Sequence, residues 1–191
     1  MKVIFNFVLM AVLAAVWLRP APAAAERYHT KKSILADFFP KSDSVSYIAF
    51  TPSAAERGQL KQRLGYLPAR AKYYFYVAKT GDRIDGYAFI DNELGQHEPI
   101  TFAVKLSADG VVQRQEVLAY REKWGSEIRH KRFRKQFVGK TVRDRCQAGR
   151  DIHVVSGATI SSHAMARGVR RSLVLFDLAI RTRAHRTAST R

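Results

Sequence analysis

Between Lys72 and Tyr120 the chain runs in alternating apolar and polar side chains, and this narrows the possible folds more than any other feature. Successive side chains of an extended strand point to opposite faces, so a period of two predicts strands with one buried face. Lys72 to Ala78 is rich in aromatic and β-branched residues and closes at a Thr80-Gly81-Asp82 turn. Asp85 to Ile90 reads as a second strand. Ile100 to Ser107 is a third, with Ile100, Phe102, Val104 and Leu106 on one face and Thr101, Lys105 and Ser107 on the other. Asp109-Gly110 is a strong two-residue hairpin turn leading into Val111 to Tyr120. A meander of about four antiparallel strands results.

Helical spacing flanks this block. Ser33 to Phe39 reads as a short amphipathic helix with Ser33 as N-cap, stopped by Pro40, and Ser46 to Phe50 as a short strand. Thr51-Pro52 opens a second helix with Pro at its first position; Leu60, Leu64 and Leu67 give it an apolar face, and Gly65 and Pro68 end it. Phe133 and Phe137, four apart, mark a short basic helix closing at Gly139-Lys140. From His163 to Ile180 apolar residues recur at Met165, Val169, Leu173, Phe176 and Ile180, with Ser161 or Ser162 as N-cap. The predicted fold is α+β: an antiparallel sheet meander flanked by helices, a single domain after an N-terminal signal segment. Within it, residues 26–70 form an N-terminal helical region, and residues 181–191 a disordered basic tail.

The signal is read from Met1-Lys2, an apolar run from Val3 to Leu18, and Ala23-Ala24-Ala25 before Glu26. Cleavage there, making residues 1–25 a signal peptide, puts the mature chain in the periplasm or outside the cell; left uncut, the segment would anchor it to the membrane. The net charge is +17, from 33 Lys and Arg against 16 Asp and Glu. Secretion turns that charge away from nucleic acid and toward an anionic membrane face or an acidic redox partner. One cysteine, Cys146, precludes an internal disulfide, and no Cys-x-x-Cys-His attaches a haem. His97 beside Glu98, and His153 near Asp151, lack metal-ligand spacing, and Gly-x-Ser-x-Gly is absent, so neither a metal centre nor a serine hydrolase is expected.

The chemistry concentrates in Asp151-Ile-His-Val-Val-Ser156-Gly157-Ala158-Thr159-Ile-Ser161-Ser162. A Gly-Ala pair lets another molecule approach the backbone, and a helix start leaves N–H groups unpaired at the positive end of its dipole. Such a place suits a phosphate. The stretch resembles the flavinylation motif of the FMN-binding domain family, which includes flavin subunits of the sodium-pumping NADH:quinone reductase and the ferredoxin-linked redox pump. Gly95-x-His97-Glu98-Pro99-Ile100-Thr101-Phe102, Tyr120-Arg121-Glu122, and Arg132-Phe133-x-x-Gln136-Phe137-x-Gly139-Lys140 are similar in kind and order to small secreted members. The likeness spans about Tyr73 to Leu178 and identifies residues 71–180 as an FMN-binding domain.

The resemblance implies FMN joined through its phosphate to Thr159 by a flavin transferase, with Asp151, Ser156, Gly157 and Ala158 as the recognition frame. Glu122, Gly125 and the Ser156 to Ser162 backbone, including Ser161 and Ser162, would line the site. Thr159 would be a substrate of the transferase, so no residue is assigned a catalytic role. Electrons would pass between a membrane-bound donor and an acceptor, with the flavin as the only carrier. One departure stands out: Glu122-Lys123-Trp124-Gly125 replaces the family's frequent Glu-Thr-x-Gly, leaving Trp124 either against the flavin or in the core. The competing reading is a secreted basic protein that docks an anionic polymer or membrane surface without cofactor.

Overall fold

A computed structural model describes residues 26–182; the expected signal segment and most of the expected basic tail lie outside the described residues. The elements are β1 (Glu26–Arg27), α1 (Lys31–Phe38), β2 (Ser44–Phe50), α2 (Ala54–Leu64), β3 (Tyr73–Thr80) and β4 (Arg83–Leu94). They continue with β5 (Pro99–Leu106), β6 (Val112–Tyr120), α3 (Lys131–Arg134) and α4 (Thr159–Phe176). The strands form one antiparallel sheet in the order β1-β6-β5-β4-β3-β2. The meander is therefore longer than the four strands expected. The segment before residue 70 contributes both edges, and Arg27, at the start of the expected N-terminal helical region, pairs with Ala119.

The sheet has helices on both faces. On one, Phe75, Phe89, Phe102 and Val104 pack with Met165, Val169, Leu173 and Phe176 of α4 and with Leu60 of α2. Gly168 allows that contact, since a Cβ there would come within 2.7 Å of the Phe102 ring. On the other face Ile34, Phe38 and Phe39 lie over Ala78, Ala88 and Ala103, small residues that let α1 sit close.

Helix starts differ from expectation in instructive ways. Thr30, not Ser33, is the N-cap of α1; Ser33 is its N3 partner in a capping box. Ser53 caps α2 reciprocally with Glu56, so Pro52 precedes the helix rather than opening it, while Gly65 ends it in the left-handed region as expected. Helix α4 begins at Thr159, four residues before the apolar pattern starts, and its N-cap Ala158 makes no side-chain cap hydrogen bond. Ser161 and Ser162 lie inside the first turn and are buried. The helix continues as a wider turn over Asp177–Arg181, so Arg181 belongs to it and not to a tail.

Strand β4 also runs past its expected end at Ile90, through Asp91, Asn92 and Glu93. Asp91 and Glu93 share the α4 face with Tyr87 and Phe89 by alternation. Buried carboxylates are tolerable there because Arg171 of α4 bonds to both, with its Nη2 2.9 Å from Asp91. Burial acts to lower the pKa of Arg171, but the two carboxylates outweigh it and raise the value. Replacing Arg171 by Leu removes the one buried partner of both acids, leaving Asp91 only Arg70 and Glu93 only Arg167, and should cost about 3 kcal/mol, measured by urea unfolding.

Candidate flavin attachment site

The segment from Val155 to Ser162 is held by its own hydroxyls. Ser162 Oγ donates to the Ala158 carbonyl (2.8 Å) and accepts from Val155 N–H (3.2 Å), closing the loop onto the helix start. Ala158 N–H donates to the Val155 carbonyl at 3.0 Å. Ser161 Oγ lies 2.8 Å from the Tyr120 hydroxyl at the end of β6. That phenol donates to the Trp124 carbonyl, so Ser161 is the donor to Tyr120. Burial raises the pKa of Tyr120, which keeps the phenol protonated for this role. Both serines are thus fasteners of the loop rather than caps.

What remains at the helix mouth is a cleft of about 210 Å³ lined by Glu122, Trp124, Gly125, Gly157, Ala158 and Thr159, with Gln96, Ile160 and Ser161 completing it. Gly157 takes φ +78, open to that conformation without a side chain, and no atom lies within 4 Å of where its Cβ would be. Gly125 is needed for closeness: at φ +92, an added Cβ would meet Ser161 Oγ at 2.7 Å and Tyr120 Oη at 2.8 Å. Thr159 and Ser156 are exposed while Ala158 is buried. The first N–H groups of a helix have no partner within it, and no side chain caps this one. The chemistry of the place fits an FMN phosphate: an accessible hydroxyl, a backbone with little side-chain cover, and the positive end of an 18-residue helix.

Of the residues singled out from sequence, Glu122, Gly125, Gly157, Ala158, Thr159 and Ser161 come together in this cleft. Ser156 faces a second hollow of about 360 Å³, with Arg132, Gln136 and His153. Asp151 lines neither. Its carboxylate accepts from Gln147 N–H (2.6 Å) and Cys146 N–H (3.0 Å) and pairs with Lys140 (3.0 Å). Burial would raise its pKa, but these partners together lower it. Trp124 is 76% exposed, which removes the core reading of this residue and puts an indole beside Thr159. Cys146 is buried at φ +47, its thiol pushed up to about 12 chiefly by burial. His97 is exposed, and no metal-binding cluster occurs among the described residues.

The separated sequence segments prove to be fastened to one another. Glu122 Oε1 accepts from the N–H groups of His97 (2.6 Å) and Glu98 (2.9 Å). Burial acts against its ionisation, yet these donors hold the pKa of Glu122 below the ordinary value. Gly95 leaves room, since a Cβ there would lie 2.6 Å from that same oxygen. Arg121 adds bonds to the Pro99 carbonyl (2.7 Å) and Thr101 Oγ1 (2.9 Å). Gln136 takes His153 N–H (2.7 Å) and gives to its carbonyl (3.2 Å), pinning the approach to Ser156. Spacing alone holds no sign of these pairings, because each partner is many residues distant.

Gly125→Ala should destabilise the fold by roughly 1–3 kcal/mol and part Ser161 from Tyr120; urea unfolding and loss of the Tyr120 hydroxyl proton's slow exchange report the two effects. Asp151 makes acid stability a second measure. The folded carboxylate holds its proton less tightly than the unfolded one, so its contribution is complete above about pH 4. It is lost as the pH falls through the lower folded value. A melting-temperature series should show a smaller loss on acidification in Asp151→Asn, which starts from a less stable chain.

A family model for the FMN-binding domain matches residues 95–174, a span that begins at the Gly95 turn and ends within α4. No curated protein matches the chain. Residues 95–174 are a member of the FMN-binding domain family, and the protein is a flavin-binding one.

Proposed function

We propose that this chain is an extracytoplasmic electron-transfer flavoprotein whose FMN is esterified to Thr159 by a flavin transferase. The observation that carries the reading is an exposed threonine at the first position of an uncapped helix, inside Ser156-Gly157-Ala158-Thr159 of an FMN-binding domain. The Thr159 hydroxyl would give up its proton and bond to the phosphorus of an FMN unit as that phosphorus loses its bond to a leaving group (AMP where the transferase's donor is FAD). The diester's remaining negative charge would meet the free N–H groups of the first turn. Bound FMN supplies one- and two-electron chemistry. The protein's own work is to hold the loop through Ser161, Ser162 and Tyr120, and to offer Trp124 as an aromatic wall.

The donor is expected on the membrane side and the acceptor outside the cytoplasm. Among the described residues no helix is long and apolar enough to cross a membrane, so membrane association would rest on the signal segment or on the basic surface. The family match favours a cofactor over the reading of a cofactor-free basic docking protein.

Co-expression with a flavin transferase and export should give yellow protein whose flavin fluorescence survives on a denaturing gel. Thr159→Ala should lose that fluorescence and keep its unfolding free energy within about 0.5 kcal/mol, as an exposed substitution does. Gel-stable flavin in the variant would refute the assignment.

A further inference from the structure

A different hollow, of about 470 Å³, opens between α2, the 145–148 loop and α4, and it shares no lining residue with the Thr159 cleft. Its charged lining is of one sign: Arg63, Arg145, Arg167 and Arg170, with His163 beside them and no Asp or Glu. Two of these arginines are neutralised by carboxylates outside the lining, Arg63 by Asp177 (2.9 Å) and Arg167 by Glu93 (3.1 Å). For Arg145 and Arg170, no carboxylate stands within ion-pair distance among the described residues.

Arg170 is the telling member. Its Nη1 donates to the carbonyls of Val142 (2.6 Å) and Asp144 (2.9 Å), which orients the guanidinium without cancelling its charge. Its Nε and Nη2 make no hydrogen bond among the described residues. Burial lowers the pKa of this half-buried group and Arg63 acts the same way, outweighing the opposite pull of Cys146 and of the Asp144 and Asp151 carboxylates, which stand beyond ion-pair distance. A guanidinium drawn out of water with no carboxylate in contact is unfavourable, and an oxyanion accepting from its free edge would relieve that. Asp151 shapes the opposite wall by holding the N–H groups of Cys146 and Gln147, next to Arg145.

We propose that this hollow binds a small organic anion with two oxyanion groups, carboxylate or phosphate, held between Arg170 and Arg145. Two unneutralised arginines on different elements call for two groups, and Leu64, Tyr66 and Ala166 give the body of such a ligand an apolar wall. The volume lies in the ordinary range for a small-molecule site and exceeds the needs of a single inorganic ion. His163, Ala166 and Arg170 follow Thr159 along one stripe of α4, at spacings of four, seven and eleven residues. A ligand there would sit about 6–16 Å along the helix axis from the attachment residue.

Titration calorimetry of the full chain at physiological ionic strength, with pyrophosphate, succinate and inorganic phosphate as probes, tests this. One or both of the two-group probes should bind, with phosphate about tenfold weaker, and the stronger of the two identifies the oxyanion. Arg170→Gln and Arg145→Gln should each weaken binding about tenfold or more. Arg132→Ala, an exposed arginine of the other hollow, should change nothing. Arg145 is exposed, so its variant remains informative if Arg170→Gln fails to fold. Absence of binding by both two-group probes, unchanged affinity in Arg145→Gln, or an equal loss in Arg132→Ala would overturn the proposal. Protein with and without attached flavin should bind alike, so a chain that never takes FMN would still pass this test.

Discussion

Helix α4 can lie on the sheet in one register, because Arg171 must meet Asp91 and Glu93 on β4. Sliding it would take the buried guanidinium away from both carboxylates and leave Asp91 only the half-exposed Arg70. Gly168 against Phe102 reinforces the choice by allowing close approach at a single point. With that register set, the start of the helix falls beside the end of β6, where Tyr120 reaches Ser161. The position of Thr159 is a consequence of charge pairing twelve residues further along the helix.

The site is assembled from three loops that carry little regular structure themselves. The turn at Gly95 is tied to Glu122, the loop after β6 is tied through Tyr120 to α4, and Gln136 is tied to His153. Each tie uses a backbone N–H or carbonyl on one side, so it fixes main chain and not merely side-chain rotamers. Rigid main chain around an exposed hydroxyl is what a modifying enzyme needs to recognise, and what a flavin afterwards needs for a constant orientation. The family match covers these three ties and stops within α4.

Much of the fold was legible because it rests on local period. The strands from Tyr73 to Tyr120 and the apolar stripe Met165, Val169, Leu173 and Phe176 follow directly from spacing. Charged residues concealed the rest. Asp91 and Glu93 look like the end of a strand until Arg171 is known to face them, and Ser161 and Ser162 look like caps until their hydroxyls are seen bonded elsewhere. One edge strand was obscure for another reason, Glu26–Arg27 being too short to show alternation, whereas the other, read as Ser46 to Phe50, differs only in starting at Ser44. In the site itself, Gly157, Ala158 and Thr159 were readable as a short motif, whereas the place of Asp151 was not. Its partners lie in the Lys140 to Gln147 segment, which has no periodic pattern.

The same helix that presents Thr159 also carries Arg170 and one wall of the basic hollow, so flavin and anion would share a single rigid element. Flavin attachment nevertheless turns on one oxygen atom, the Thr159 hydroxyl. Proteolysis of exported protein from cells with an active flavin transferase, followed by fragmentation mass spectrometry, locates any modification to a residue. The peptide containing Ser156 to Ser162 should be heavier by one FMN less one water, with the added mass on Thr159. An unmodified peptide from such cells, or the flavin mass on Ser156, Ser161 or Ser162, would contradict the account.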